Sequence, residues 1–397
     1  MNVLQVFNEY RSLCGGEGTV VQMIAALIEK RGGTARLLSR SSKGLDGSVR
    51  AKMRAFVSGI YNRTARHEMA AILREDPPDV VHVHNVYPLF SPSVLMACRR
   101  AGVPVVMTNH NYVLSCPVVN HLHKGRICER CVGGHEYWCA LNNCRGNSAE
   151  SIAYAVRSAV ARRMHVFRDC VTVHILLSDF AKKRLVRMGF DETRLVVLPN
   201  MVELPETPLQ RPVGEYIAYS GRIATEKGID VLLAAARQLP DIPFRLAGDG
   251  PLLDPLRSQT PPNVRFVNRL GVDDLNDFYK RARVLVVPSM WFEGCPLVVS
   301  EAMSHSLPVV ASRIGGLPEF VDESKTGLLF EPGDVDELVQ KIRWLWDRPA
   351  VCLDMGQRGS EKARREYNAD VYYQRLMAIY GKAMTFTGKA AQAHEHN

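Results

Sequence analysis

The sequence contains no apolar segment long enough to cross a membrane. Its best hydrophobic stretches, such as Val171 to Leu177 and Val284 to Val287, have the length of strands, whereas a spanning helix needs roughly 18 to 20 apolar residues. The start, from Met1 to Glu9, also lacks the basic and apolar regions of a secretory signal. We expect a cytoplasmic protein that can touch the inner face of a membrane without spanning it.

Repeats and low-complexity tracts are absent as well, and 46% of the residues are hydrophobic and 23% charged. This composition excludes disordered and fibrous classes. A chain of 397 residues exceeds what one core usually organises, so two domains are expected.

The net charge of +9 lies in the first half, where residues 1–200 carry 27 Lys and Arg against 15 Asp and Glu. A basic half favours an anionic partner, which can be nucleic acid, a lipid surface or a phosphorylated acceptor, and the alternative is a solubilising surface with no partner.

Short apolar strands alternate with helical patterns along most of the chain, which predicts parallel sheets with right-handed crossovers. Residues 199–212 are rich in proline and form the best linker. The sequence therefore predicts an α/β protein with two doubly wound domains, residues 1–205 and 206–367. A helix over residues 368–384 and a disordered tail over 385–397 follow. Residues 112–147 form an irregular, cysteine-rich insert in the first domain.

A glycine turn, Cys14-Gly-Gly-Glu-Gly18, joins the first predicted strand to the first helix. Such a turn lets the backbone approach a phosphate at a helix N-terminus. Its spacing is not that of a dinucleotide fingerprint, so a Rossmann dinucleotide site is disfavoured. A tight turn that needs glycine only for its geometry is the alternative.

Two cations, Arg222 and Lys227, lie between a strand and a helix in the segment from Ser220 to Gly228. At the carboxyl edge of an open sheet they can neutralise a departing diphosphate without a metal ion. The alternative is an ordinary surface helix start in which Glu226 and Lys227 are solvated.

Two carboxylates, Glu293 and Glu301, lie in the segment from Pro288 to Met303. Pro296 suits the start of a helix, which places Glu293 in the loop before it and Glu301 in its second turn. One carboxylate can then hold sugar hydroxyls and the other ribose hydroxyls. A hydrolytic acid and base pair is the competing interpretation.

These motifs, together with the segment Gly-Gly-x-Pro-Glu from Gly315 to Glu319, resemble glycosyltransferase family 4. The similarity runs from Val3 to about Gly381. It implies a GT-B fold, in which two Rossmann-like domains face a central cleft and a C-terminal helix crosses back to the first domain. The first domain would bind the acceptor and the second the nucleotide sugar. The resemblance also implies a retaining mechanism that requires no cofactor.

The resemblance assigns roles by position. Arg222 and Lys227 match the diphosphate pair, Glu301 the carboxylate on ribose, and Glu293 the one beside the donor sugar. Further donor-binding positions are matched by Gly15 and Gly16 in the first turn, Gly248, Gly250, Arg269 and Leu270 in loops near the base, and Leu297 and Val298 at the start of the helix with Glu301.

His110 follows the predicted strand from Val105 to Asn109, a place where a histidine is by itself more often structural. The resemblance implies that His110 contacts the donor sugar. It would not act as a general base, because in a front-face attack the leaving phosphate oxygen takes the proton of the acceptor.

Five of the ten cysteines fall within the insert. Without a secretory signal, a metal site or reduced thiols are better interpretations than a disulfide framework. A structural zinc site would use Cys116, Cys128, Cys131 and Cys144, with Cys139 or a nearby histidine as a substitute ligand. Uncoordinated thiols or a disulfide are the alternatives.

A basic helical pattern from about Ala149 to Arg168 combines four arginines with apolar residues that include Ile152 and Val156. It can lie on anionic lipid, or it can be an ordinary helix with a core-facing side.

The sequence thus predicts a hexosyltransferase that uses a UDP- or GDP-type sugar donor and a lipid-linked glycan or polysaccharide precursor as acceptor. Nucleic acid is not an expected partner. A catalytically silent nucleotide-sugar-binding protein and a nucleotide-sugar epimerase remain the alternatives. The intact charged residues count against the first and the two spaced carboxylates against the second.

Overall fold

The structure, a computed structural model, describes residues 1–9, 16–41, 56–205 and 212–387. The chain forms two compact units. The first comprises Met1–His123, Cys128–Leu198 and the chain from Tyr373 onward, and the second comprises Lys124–Ile127 and Pro199–Tyr372. The sequence placed the boundary a few residues later, after residue 205, in the same proline-rich stretch.

The first unit contains a six-stranded parallel sheet whose strands follow in space the order β2-β1-β3-β4-β7-β8. Strands β3 and β4 are buried along their whole length, as expected for a parallel sheet covered on both faces. The two short strands β5 and β6 in the insert form a separate sheet. The strands are β1 Asn2–Glu9, β2 Thr34–Ser41, β3 Val80–Val83, β4 Val105–Asn109, β5 Leu122–His123, β6 Arg126–Ile127, β7 Val173–Leu176 and β8 Leu195–Val197.

The helices around this sheet begin where the sequence supplies capping side chains. Asn62, Asn147 and Ser178 each accept a hydrogen bond from a backbone N–H of the first helical turn, which satisfies a donor that the helix itself leaves unpaired. The helices are α1 Gly16–Lys30, α2 Arg63–Glu75, α3 Ser93–Arg100, α4 Tyr137–Leu141, α5 Ser148–Arg163, α6 Val166–Cys170 and α7 Asp179–Arg187.

The second unit repeats the architecture, with a parallel sheet in the order β11-β10-β9-β12-β13-β14. Its strands are β9 Tyr216–Ser220, β10 Phe244–Ala247, β11 Val264–Asn268, β12 Ala282–Val287, β13 Val309–Ser312 and β14 Gly327–Phe330. Its helices are α8 Ile229–Gln238, α9 Leu253–Arg257, α10 Val272–Arg281, α11 Leu297–Ser304, α12 Leu317–Phe320, α13 Val335–Trp346 and α14 Pro349–Glu366, and α15 Ala369–Phe386 closes the chain.

The strand orders place a switch point in each sheet. In the first sheet the chain leaves β1 toward β2 and later returns to β3 on the other side; in the second it does the same between β9 and β12. Crevices at such points, at the carboxyl ends of the strands, are where open α/β sheets bind ligands. The motifs of the sequence follow β9 and β12 in the second unit, and β1 and β4 in the first.

The last helix joins the first unit from Tyr373 onward. The ring of Tyr373 lies under the guanidinium of Arg31, and the hydroxyl of Tyr380 lies 2.7 Å from Nδ1 of His82. Helix α15 runs to Phe386, two residues into the predicted tail, and residues 388–397 lie outside the described part of the chain.

The prediction of one continuous basic helix from Ala149 to Arg168 is wrong. The structure divides it into α5 and α6, because His165 adopts a left-handed backbone conformation with a φ of 52°. A residue of this kind ends a helix rather than continuing it. Among the described residues, no helix is long and apolar enough to cross a bilayer.

Candidate active site

Glu293 is the centre of a hydrogen-bonded group at the switch point of the second sheet. Its Oε1 accepts from Lys227 Nζ at 2.7 Å, from the Ser289 hydroxyl at 2.6 Å and from the Trp291 indole at 2.8 Å. Lys227 also lies over the Trp291 ring, 4.9 Å from its centre. Lys227 comes from the loop after β9, and the other residues come from the loop after β12. Glu293 is only 5% exposed.

Burial and charge act in opposite directions on Glu293. Burial alone would raise its pKa, but the Lys227 ammonium and the hydrogen bonds from Lys227, Ser289 and Trp291 lower the pKa below the usual value. Glu293 is therefore a carboxylate near neutral pH, and it is held in one position by three donors.

Arg222 lies in the same loop as Lys227 and forms an ion pair with Glu226, one turn later. Each of the two predicted diphosphate-binding cations therefore has a carboxylate partner, Glu226 for Arg222 and Glu293 for Lys227. Both cations leave the carboxyl end of β9, as the sequence predicted. An anionic ligand would have to compete with these carboxylates, which a doubly charged phosphate group can do.

Glycines bring the loops of this site together. Gly228 has a φ of 70°, and a Cβ there would lie 1.8 Å from Pro288 O in the loop after β12. Gly315 has a φ of 60°, and a Cβ there would lie 2.7 Å from the backbone N and O of Glu293. The N–H of Gly316 donates to Glu293 O at 2.8 Å. The Gly-Gly-x-Pro-Glu segment thus packs against the backbone of Glu293 and forms a hydrogen bond with it.

Gly248 and Gly250 pack against the loop that carries Arg222. A Cβ on Gly248 would lie 1.8 Å from Gly221 O, and a Cβ on Gly250 would lie 2.3 Å from Ile223 O. The structure thus gives these glycines a packing role that the sequence did not predict. Their predicted place near the base stays a prediction. The same holds for Arg269 and Leu270, which directly follow β11. The last residue of β11 is linked to Gly248, whose N–H donates to Asn268 O at 2.7 Å.

Glu301 lies in helix α11, and Leu297 and Val298 are the first two residues of that helix. The hydroxyl of Tyr279 donates to Glu301 Oε2 at 2.9 Å. Burial raises the pKa of Glu301, while the hydrogen bond from Tyr279 opposes that shift. Sequence reasoning missed Tyr279, because it lies in α10 and nothing in its local pattern points to Glu301.

The half-buried His110 belongs to a histidine group in the first unit, of which His82 and His84 are buried. Its Nε2 lies 3.0 Å from Nδ1 of His84, and the two rings stack. Nε2 of His84 lies 2.8 Å from Oε1 of Gln5. Burial lowers the pKa of His82 to about 3, with a further contribution from His110, and it also lowers the pKa values of His84 and His110. All three imidazoles are therefore neutral near neutral pH.

The start of α1 lies beside this histidine group. The carboxylate of Glu17 accepts from Asn85 Nδ2 at 3.1 Å and from Asn111 Nδ2 at 3.2 Å. It also raises the pKa of His110, against the larger effect of burial. Gly16 is the first residue of α1 and is exposed, whereas Gly15 lies outside the described residues.

The cysteine-rich insert brings its thiols near one another. Burial, followed by the neighbouring thiols of Cys116, Cys144 and Cys128, raises the pKa of Cys131 to about 12. Cys139 shares a hydrogen bond with Cys144. Among the described residues, however, no three His, Cys, Asp or Glu side chains are grouped so that they could hold a metal ion. The structure gives the zinc prediction no ligand group, and zinc remains a prediction from the sequence alone.

Two family models match consecutive parts of the chain. Residues 14–205 match the model described as Glycosyltransferase Family 4, and residues 206–362 match the model described as Glycosyl transferases group 1. The chain belongs to glycosyltransferase family 4. The predicted family and the predicted GT-B fold class are confirmed, since solved structures of this fold also match nearly the whole of this family-4 glycosyltransferase.

Curated relatives of this family-4 glycosyltransferase act on different molecules, by their names. Sulfoquinovosyl transferase SQD2 of Arabidopsis thaliana is 40% identical over 145 residues, which are 36% of this chain and only 27% of that protein. Glycogen synthase of Mycobacterium tuberculosis is 26% identical over 420 residues and covers 94% of this chain and 92% of its own. The solved structure of Anabaena HepE with UDP has a TM-score of 0.67 at 15% identity and covers 95% of this chain and 99% of HepE.

Proposed function

We propose that this chain is a retaining glycosyltransferase that moves a hexose from a nucleotide diphosphate sugar to an acceptor hydroxyl. The observation that carries the proposal is the group of Lys227, Glu293 and Arg222 at the switch point of the second sheet. Lys227 Nζ lies 2.7 Å from Glu293 Oε1, so a cation for phosphate and a fixed carboxylate for sugar hydroxyls stand side by side.

The proposed reaction breaks the bond between the anomeric carbon and the β-phosphate oxygen. The acceptor oxygen forms its bond to the same face of the anomeric carbon, and its proton passes to the leaving phosphate oxygen. Arg222 and Lys227 take up the charge that develops on the diphosphate, a task that metal ions perform in other transferases. Glu293 accepts hydrogen bonds from the sugar, and Glu301 accepts them from the ribose.

The nucleotide is proposed to be of the UDP or GDP type. Solved structures of Anabaena HepE hold UDP, UDP with glucose, and UDP-glucose, and one relative is named a GDP-mannose-dependent mannosyltransferase. A thermal-shift panel of UDP, GDP and ADP tests this part. A nucleotide at one hundred times its dissociation constant stabilises the folded protein by about 2.7 kcal/mol, so the correct base should raise the melting temperature most.

The acceptor is proposed to be lipid-linked, because α4 and α5 expose apolar side chains beside basic ones. Leu141 is 70% exposed and Ile152 53%. Ile152 and Val156, one turn apart, form an exposed apolar stripe on α5, and Arg163 and Met164 at the end of this helix are also exposed. The buried side of α5 carries Ser151, Ala155, Arg157 and Ala161 instead. This apolar and basic surface fits an anionic membrane.

A cavity beneath α5 supports an amphiphilic acceptor. It has a volume of about 140 Å³, and apolar side chains that include Leu114, Phe167 and Met188 line it together with Arg162 and Arg168. Arg162 is paired with Glu136, 2.6 Å away. Part of the chain of a lipid phosphate would fit the apolar lining, and its phosphate would contact Arg168 or compete with Glu136 for Arg162.

The activity test uses the variants Glu293→Ala and Arg222→Ala. Each should abolish transfer with the donor that the thermal-shift panel selects, while the far-ultraviolet circular dichroism spectrum stays that of the parent. Turnover that survives either substitution would reject the role proposed for that residue.

A further inference from the structure

Four groups in the first unit form one hydrogen-bonded chain that ends at His110. The chain runs from the backbone carbonyl of Val21 through the Gln5 amide and the His84 imidazole. Gln5 is fully buried, and His84 is 2% exposed. Because Gln5 and His84 are buried and His110 is half-buried, the chain is largely shielded from solvent, and the acceptor at its start fixes the direction of each later hydrogen bond.

The carbonyl of Val21 can only accept a hydrogen bond. Gln5 must therefore direct its Nε2 toward Val21 O, at 3.3 Å, and its Oε1 toward His84 Nε2, at 2.8 Å. Since Oε1 can only accept, the proton of His84 lies on Nε2. A neutral imidazole carries one proton, so Nδ1 of His84 is an acceptor and Nε2 of His110, 3.0 Å away, must donate to it.

We propose that Gln5 and His84 are positioning residues that hold the proton of His110 on Nε2, so that His110 Nδ1 can only accept a hydrogen bond from the donor sugar. The sugar contact rests on the proposed function, whereas the position of the proton does not. A group that donates to Nδ1 must carry an O–H or N–H, as a sugar hydroxyl does. The arrangement therefore favours a neutral hexose over a uronic acid whose carboxylate would face His110.

Three variants separate this role from general packing. Gln5→Met keeps the volume but removes the acceptor, so His84 is free to move its proton to Nδ1 and the proton of His110 should follow to Nδ1. Gln5→Glu should restore the parent state, because a buried carboxyl is protonated and can donate to Val21 O while its carbonyl oxygen accepts from His84. Tyr380→Phe is the control, since its hydroxyl contacts His82, 2.7 Å away, outside this chain.

The proton positions are read from long-range proton–nitrogen NMR spectra of the ¹⁵N-histidine-labelled full chain, with His110→Gln to assign the signals. We expect His110 with an unprotonated Nδ1 in the parent, in Gln5→Glu and in Tyr380→Phe, and with a protonated Nδ1 in Gln5→Met. A protonated Nδ1 in the parent, or an unchanged spectrum in Gln5→Met, would overturn the proposal.

Turnover provides the second measurement. With the selected donor, kcat/KM should fall roughly tenfold in Gln5→Met, as expected when one buried hydrogen bond to the substrate is lost, and it should recover in Gln5→Glu. Equal losses in all three variants would show a packing effect and overturn the sugar contact. The absence of turnover with every donor in the parent would remove the proposed function, while the NMR result would still decide where the proton lies.

Discussion

The backbone N–H of Met290 donates to the backbone carbonyl of Glu226 at 2.9 Å. This hydrogen bond joins the loop that carries Arg222 and Lys227 to the loop that carries Glu293. It explains how two motifs more than sixty positions apart in the sequence form one site. The strand order places their loops side by side, and the backbone of each loop then fixes the other.

Gly228 should be indispensable for this junction. Gly228→Ala would place a Cβ 1.8 Å from Pro288 O in a left-handed conformation, whereas Gly102→Ala, at a φ of 67°, would meet nothing within 4 Å. The control should lose only the cost of a left-handed alanine, about 1 kcal/mol. Gly228→Ala should lose more and should also lose its stabilisation by nucleotide, both measured by thermal unfolding. Equal behaviour of the two variants would contradict this account of the junction.

Removal of Lys227, the ion-pair partner of Glu293, should reverse the contribution of Glu293 to the pH dependence of the free energy of unfolding. In the parent the pKa of Glu293 lies below its usual value, so the pair contributes stability that is present above the unfolded pKa and is lost as pH falls through the folded pKa. In Lys227→Met burial dominates and the pKa of Glu293 should rise. The carboxylate should then destabilise the fold increasingly as pH rises through that pKa.

Chemical denaturation between acid and neutral pH checks this reversal. The double variant Lys227→Met with Glu293→Gln is the control, since it removes both charges. Removal of one partner of a buried pair costs about 3 to 5 kcal/mol, and the double variant should recover part of that loss. A double variant whose loss is the sum of the single losses would show that the two groups do not interact.

The sequence predicted the positions of these residues better than it predicted their contacts. Arg222, Lys227 and Glu293 were expected near one edge of the second sheet because each follows a strand with a clear apolar pattern, and the carboxyl ends of parallel strands share one edge. The structure places Lys227 beside Glu293 there, and the binding roles of these residues stay predictions. The sequence did not predict the hydrogen-bond partners of Glu301 and His84. Tyr279 reaches Glu301 from a different helix, and Gln5 reaches His84 across neighbouring strands. Only the order of the strands in the sheet brings such residues together, and the local hydrophobic pattern of a sequence does not reveal that order.

Glycines show the same limit. The sequence associated Gly248 and Gly250 with the base, but a glycine needed for close packing and one needed beside a ligand leave the same mark in a sequence. The break between α5 and α6 was missed for a related reason, because His165 carries no helix-ending signal of its own. Histidine is among the residues enriched in the left-handed conformation, but it occurs there too rarely for its presence to predict the end of a helix.

Tyr279→Phe should shift the pH at which nucleotide is lost. The pKa of Glu301 is already raised by burial, and the hydrogen bond from Tyr279 holds that rise in check. Without it the pKa should rise further, so the carboxyl should lose its charge, and with it the stronger of its hydrogen bonds from ribose hydroxyls, at a higher pH than in the parent. Titration calorimetry over a range of pH tests this. A pH profile identical to that of the parent would show that Glu301 does not contribute to nucleotide binding.

The exposed stripe on α5 should determine binding to anionic vesicles. Ile152→Ser with Val156→Ser should weaken sedimentation with phosphatidylglycerol vesicles, since each lost apolar contact reduces the area that enters the membrane interface. Binding by the parent should fall with salt, because the basic side chains beside the stripe act through screened charges. Val272→Ser is the matched control, as Val272 is 74% exposed in the second unit. If the control weakens binding as much as the double variant, the attraction does not depend on this surface and the case for a lipid-linked acceptor loses its structural support.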